Sequence, residues 1–202
     1  MTKPDTSADR ARSALALALL LVGALAVAAA AFLIFDRGEP GAPAPSAIGG
    51  PFKLTAHDGR TVTDKDFLGA PALVFFGFTR CPDVCPTALA EVSAIFEKLG
   101  EDKKVAALFV TVDPERDTPA LQKDFLTSFD KRIVGLSGDL DELQKMQKAY
   151  RVYAKKVPLK DGDYTMDHTA IVYLLDKKGR FVNAFNISRP PEEAAKDLAR
   201  YL

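Results

Sequence analysis

Among its 202 residues the chain has no tryptophan, two histidines, three methionines and only two cysteines. It also lacks net charge, since 27 Lys and Arg balance 27 Asp and Glu. Each shortage removes a class of function. A neutral chain has no basic surface with which to displace counterions from a polyanion, which excludes nucleic acid as a partner. Two cysteines cannot frame a disulfide scaffold. Any imidazole chemistry has two candidates, His57 and His168. No internal repeat is present. Thirteen phenylalanines suffice for an ordinary core without tryptophan.

What the chain does have begins with a long apolar run. Ala14 to Phe35 carries no charge, and at ~1.5 Å per residue it spans the ~30 Å of a bilayer core. Lys3, Arg10 and Arg12 precede it and only Arg37 follows closely, so the positive-inside rule puts the N-terminus in the cytoplasm. Asp5 and Asp9 argue against a mitochondrial transit peptide, which is poor in acids. Ala24-Leu25-Ala26 and Ala28-Ala29-Ala30 resemble signal-peptidase sites. The run continues through Phe32-Leu33-Ile34-Phe35, however, beyond where a signal would end, which favours an uncleaved anchor. The expected organisation is a cytoplasmic N-terminus over 1–13, a transmembrane anchor over 14–35, a linker over 36–50 rich in Pro, Gly and Ala, and an exported domain over 51–202.

The domain is organised around Thr79-Arg80-Cys81-Pro82-Asp83-Val84-Cys85-Pro86-Thr87, which holds both cysteines. Upstream, Ala72 to Phe78 is continuously apolar, as in a strand covered on both faces. Downstream, Leu89, Val92, Phe96 and Leu99 recur at helical spacing, and Gly100 is a stop. The cysteines therefore fall in a strand-to-helix turn. Pro86 suits the first helical position, which places Cys85 at the helix N-terminus, where free N–H groups and the helix dipole favour a thiolate. Two such sulfurs can form a reversible disulfide or share a soft metal such as Cu(I).

The rest of the domain reads as follows. Phe52-Lys53-Leu54 and Thr61-Val62-Thr63 form a hairpin turning at Asp58-Gly59, with His57 at its surface. Val105 to Val112 is a buried strand. Asp117 or Thr118 caps a helix with Pro119 in its first turn and Leu121, Phe125 and Phe129 on its apolar face. Ile133 to Leu136 is a short strand, and Asp139 to Tyr150 a helix with Leu140, Leu143 and Met146 inward. Arg151 to Asp167 is the longest irregular piece. Thr169 to Leu175 and Phe181 to Phe185 make an antiparallel hairpin, and Pro191 starts a last helix. This order implies an α/β domain with a mixed sheet flanked by helices. Asp113 to Thr118, with three acids and Arg116 at a strand end, is either helix capping plus a solvated loop or a partner-docking edge.

The element order resembles the thioredoxin fold. More narrowly, Phe76-Gly77-Phe78-Thr79-Arg80-Cys81-Pro82-Asp83-Val84-Cys85-Pro86-Thr87, Val112-Asp113-Pro114-Glu115-Arg116-Asp117-Thr118-Pro119 and Asp167-His168-Thr169 together resemble the Sco/SenC family. The resemblance covers essentially all of 51–202. It implies a thioredoxin-like domain that binds copper through Cys81, Cys85 and His168, and assists assembly of the dinuclear copper centre of cytochrome c oxidase subunit II. It also implies other copper carriers as partners and, with the anchor, a single-pass protein of the bacterial inner membrane whose domain faces the periplasm. One departure is Arg80, where many members carry another residue. Its charge is expected to favour the thiolates.

With two thiolates opposite, His168 supplies a third ligand suited to Cu(I) and tolerant of Cu(II). Asp167 is either an outer partner that orients the ring or a solvated acid. Met166 reads as core packing. A second function uses the same sulfurs: Cys81 and Cys85 as the redox-active pair of a periplasmic thiol-disulfide oxidoreductase that reduces the target's cysteines. Thioredoxin-type enzymes place two residues between their cysteines. The three here loosen that redox geometry and let the sulfurs spread around a metal. Val84-Cys85-Pro86-Thr87 also resembles a peroxidatic stretch, but Pro82 stands where that motif needs threonine.

Overall fold

In the computed structural model, which describes residues 19–25, 27–28, 48–160 and 162–202, the apolar run before the cysteines becomes the middle of a sheet. Two compact units, residues 1–44 and 45–202, are distinguished by their contacts. In the first, residues 19–25 and 27–28 are helical. Among the described residues no helix is long and apolar enough to cross a membrane. Most of the expected 14–35 span, and the linker up to residue 47, lie outside the described residues.

Among the described residues the second unit contains nine strands: β1 (Lys53–Ala56), β2 (Thr61–Thr63), β3 (Ala72–Gly77), β4 (Ala106–Thr111), β5 (Ile133–Ser137), β6 (Ala154–Pro158), β7 (Tyr164–His168), β8 (Val172–Leu175) and β9 (Phe181–Ala184). Its four helices are α1 (Val84–Leu99), α2 (Pro119–Leu126), α3 (Leu140–Ala149) and α4 (Pro191–Ala199). Seven strands form one sheet in the order β2-β1-β5-β4-β3-β8-β9, and β6 and β7 form a separate pair. β3, β4 and β5 are parallel, whereas β1 and β8 run against them. The domain is thus α/β with a mixed sheet. Every residue of β3 is buried, because a parallel strand joined by helical crossovers is covered on both faces. α1 packs against α4, and α2 against β5. Phe76, Phe78, Phe96 and Phe109 are among the largest fully buried side chains.

Local signals account for most boundaries. The Thr118 hydroxyl accepts the Leu121 N–H at 3.2 Å with Pro119 as the first residue of α2, and the Asp139 carboxylate accepts the Glu142 N–H at 2.9 Å. Both are N-caps. Gly100 ends α1 at φ 99°, a left-handed conformation that glycine adopts without strain.

Four expectations are corrected. Arg151 to Asp167 is not irregular: it contains the β6–β7 hairpin. A ribbon that stands off the main sheet buries no continuous face, so its residues lack the apolar alternation that marks a strand. Of the residues expected on the apolar face of α2, Phe125 and Phe129 are half-buried against the core, but Leu121 is exposed, and Gln122 and Leu126 are the buried positions. Thr118 sets the helix phase so that positions four apart share the core side, and Gln122 donates to the Leu136 carbonyl at 3.3 Å. Leu140 is exposed because it opens α3, leaving Leu143 and Met146 as the stripe. His57 is half-buried, not a surface residue. Its N–H donates to the Gly135 carbonyl at 2.8 Å and its Nδ1 accepts the Gly135 N–H at 2.9 Å, extending the β1–β5 ladder.

Candidate metal centre

Strand β3 ends at Gly77, and the chain turns through Phe78, Thr79 and Arg80 into the first cysteine. A Cβ on Gly77 would lie 2.8 Å from the Cys85 sulfur and 2.6 Å from the Phe109 ring. Glycine is therefore required there so that the sulfur can seat against the strand. Helix α1 starts one residue before Cys85, so Pro86 is its third residue, not its first. The shift costs nothing, because the first N–H that an α1 carbonyl ladder needs is that of Thr87, bonded to the Asp83 carbonyl at 3.1 Å.

The two sulfurs have different surroundings. Asp83 makes no side-chain cap. Instead the Cys81 sulfur, half-exposed, accepts the Cys85 N–H at 3.3 Å. The free N–H of the helix start thus points at Cys81. Cys85 lies on the inward side of the first turn, fully buried. Burial pushes its thiol well above the ordinary range, against a backbone contact from Phe78. Burial thus works against the Cys85 thiolate that the helix start was expected to favour. A bound cation would reverse that balance, because it competes with the proton for the sulfur and the proton is released to solvent.

His168 arrives from the end of β7. Its Nδ1 lies 3.1 Å from the Thr169 carbonyl oxygen. A carbonyl only accepts, so Nδ1 carries the proton and Nε2 presents a lone pair. That Nε2 is 3.7 Å from the Cys85 sulfur. Phe78 and Phe75 flank the ring edge-on at 5.7 and 6.4 Å. The ring's partner is the Thr169 carbonyl and not Asp167, which is exposed and sits opposite Lys155 in the hairpin register. Met166 is half-buried against the core.

The ligand atoms of Cys81, Cys85 and His168 lie within 4.8 Å of one another. Bonds of about 2.3 Å to sulfur and 2.0 Å to nitrogen place ligands roughly 3.7 Å apart around a three-coordinate first-row ion. Two soft sulfurs and one imidazole, gathered with a fixed tautomer, suit such an ion without rearranging the backbone.

Of the three acids in Asp113 to Thr118, Asp113 and Asp117 are each 1% exposed and turn inward, while Glu115 is exposed. Asp117 accepts from the Thr79 N–H at 3.1 Å, the Thr79 hydroxyl at 2.6 Å and the Thr111 hydroxyl at 2.7 Å. It thereby ties the cysteine loop to β4, and burial raises its carboxyl above the usual range despite those bonds. Asp113 accepts from Arg116 at 2.5 Å and from the Tyr164 hydroxyl at 2.8 Å. Burial, then this carboxylate, pushes the Tyr164 phenol up to about 12, so it remains a donor at neutral pH. Arg80 is paired with Asp163 at 3.4 Å, so its charge is met on the hairpin turn and is not directed only at the sulfurs. Thr79, Asp117 and Tyr164 escape sequence reasoning because their partners lie 38 to 51 residues away. The one local signal was the density of charge in 113–118.

With this geometry described, comparisons with known proteins identify relatives. Residues 40–202 match the SCO1/SenC family model. The mouse mitochondrial SCO1 homolog is 40% identical over 159 residues, covering 77% of this chain and 56% of that protein. The chain thus spans about half the length of the curated relatives it matches. The copper-bound structure of Bradyrhizobium japonicum ScoI is 62% identical with a TM-score of 0.75, covering 77% of this chain and 99% of that one. BsSco, described with a disulfide switch and as a member of the Sco family of cytochrome c oxidase assembly proteins, is 25% identical with a TM-score of 0.62. It covers 77% of this chain and 94% of that one. The fold is the mixed α/β, thioredoxin-like fold shared by these structures.

Proposed function

The chain belongs to the SCO1/SenC family, and we propose that it is a copper carrier that holds the ion on Cys81, Cys85 and His168 and delivers it to the dinuclear copper centre of cytochrome c oxidase subunit II. The observation that carries this reading is the convergence of two sulfurs and one imidazole nitrogen within 4.8 Å. Copper is the cargo. The sulfurs match Cu(I), and the imidazole extends the range to Cu(II). Three protein ligands leave a coordination position open, and the half-exposed Cys81 marks the side from which a receiving protein's ligands would enter. The same proposal includes other copper carriers as donors that load the site.

Thiol exchange by Cys81 and Cys85 is the competing use of these sulfurs, and both are free. His168 favours carriage. Its protonated Nδ1 is held by Thr169 while its Nε2 faces Cys85, which is the arrangement of a third donor.

The test is direct. The full-length chain, purified in detergent and reduced, is expected to take up one copper per chain. A strain lacking its gene is expected to assemble oxidase without the subunit II copper, restored by the parent gene. Absence of copper uptake, or an intact copper centre in the deletion strain, would refute the proposal.

We further place the chain in the bacterial inner membrane through residues 14–35, with the folded unit in the periplasm. Alkaline carbonate extraction should leave the protein with the membranes, and protease added to spheroplasts should digest the folded unit. Recovery as a soluble protein starting near Ala31 would overturn the anchor.

A further inference from the structure

We propose that Arg116, together with Tyr164, is a positioning pair that seats His168 and thereby decides whether the site holds Cu(II) as well as Cu(I). The inference rests on the copper reading above.

His168 ends a strand that belongs to no large sheet. Among the described residues its hairpin pairs only with itself, and four of the five β6 residues are exposed. Little apolar burial therefore fixes the arm, and its place depends on polar clamps. One lies at its base, where Tyr153 and Thr169 exchange two hydrogen bonds at 3.0 Å. The other is the loop after β4. Arg116 Nη1 donates to the Tyr164 carbonyl at 2.8 Å and to Asp163 at 3.0 Å. Its guanidinium stacks on the Tyr164 ring at 3.6 Å, and the Tyr164 hydroxyl donates to Asp113. Glu115 of the same loop pairs with Lys156 on the other strand.

Arg116 is 12% exposed at its side chain, and its Nη2 is buried without a hydrogen-bond partner. A solvated lysine or arginine would avoid that loss, so the guanidinium sits where the hairpin needs it. One residue further on, Asp117 grips Thr79 at the entry to the cysteine loop. A single short loop thus holds the dithiol half of the site on one side and the imidazole half on the other. It sets the 3.7 Å between Cys85 and His168.

The consequence follows from ligand preference. Two thiolates satisfy Cu(I), whereas Cu(II) draws on the imidazole nitrogen. Loosening the hairpin should spare the first and weaken the second. Partners that orient a metal-ligating histidine typically contribute about 10–100-fold in affinity.

The test compares full-length parent, Arg116→Gln, Tyr164→Phe and His168→Ala, each loaded separately with Cu(I) and with Cu(II). For Arg116→Gln we expect Cu(II) to dissociate at least ~10-fold faster, with an altered Cu(II) absorption spectrum. Cu(I) stoichiometry and the alkylation rate of the cysteines should match the parent. Tyr164→Phe keeps the stacked ring but loses the bond to Asp113, so it should shift Cu(II) dissociation in the same direction and by less. It carries the test if Arg116→Gln fails to fold. Combining Arg116→Gln with His168→Ala should weaken Cu(II) no further than His168→Ala alone. A merely structural role would lower Cu(I) stoichiometry and change the alkylation rate of the cysteines as well, and that result, like unchanged Cu(II) dissociation or an additive double variant, would overturn the proposal. A parent that binds no copper would instead remove the carrier reading itself, and this proposal with it.

Discussion

Oxidising Cys81 and Cys85 to a disulfide is expected to take copper binding from one ion per chain to none. The two sulfurs are already neighbours: Cys81 accepts the Cys85 N–H, and their ligand atoms and that of His168 fall within 4.8 Å. A disulfide draws the sulfurs to about 2.05 Å, far closer than the roughly 3.7 Å that separates ligands around one ion. It also removes the thiolates, the only forms of cysteine that bind metal. One imidazole then remains. Copper should be measured by atomic absorption on reduced, oxidised and re-reduced protein, since recovery on reduction separates gating from denaturation. Full stoichiometry in the oxidised form would remove both cysteines from the site. The same linkage means that a copper carrier of this kind must be kept reduced wherever it is loaded, and in the proposed periplasmic setting that calls for a thiol reductant.

Replacing His168 by alanine is expected to separate carriage from thiol exchange. The substitution deletes a direct ligand, so Cu(II) affinity should fall by more than the roughly 10–100-fold typical of losing an outer partner. Cu(I) should persist on the two sulfurs, more weakly. The Cys81–Cys85 reduction potential should stay within about 30 mV of the parent, a tenfold change in equilibrium constant at most, because the sulfurs keep their helix N–H and their seat on Gly77. Oxidase assembly in the deletion strain should fail. Full rescue by His168→Ala would make the imidazole dispensable and bring the reductase reading forward.

These expectations draw unequally on sequence and structure. The cysteine turn could be read in the chain because a buried strand, a pair of prolines and a helical apolar stripe are neighbours in sequence. The caps Thr118 and Gly100 were legible for the same reason: each acts within one turn of itself. The β6–β7 hairpin was not legible, since an arm lying off the sheet keeps polar residues on both faces. The partners of Arg80 and Asp117 were not legible because a charge in a sequence carries no sign of what it pairs with. One meets Asp163 across the site, and the other is sealed under Thr79 and Thr111.

By itself the sequence determined which atoms are available for the chemistry, two sulfurs and two imidazoles, and that the sulfurs begin a helix. Those properties depend on contacts within a few residues, where chain connectivity leaves little choice. Only the tertiary structure decided that Cys85 is buried, that His168 meets the two sulfurs and His57 does not, and that one loop holds both halves together. Those outcomes depend on contacts between residues tens of positions apart, which are chosen by packing and desolvation once the sheet has formed.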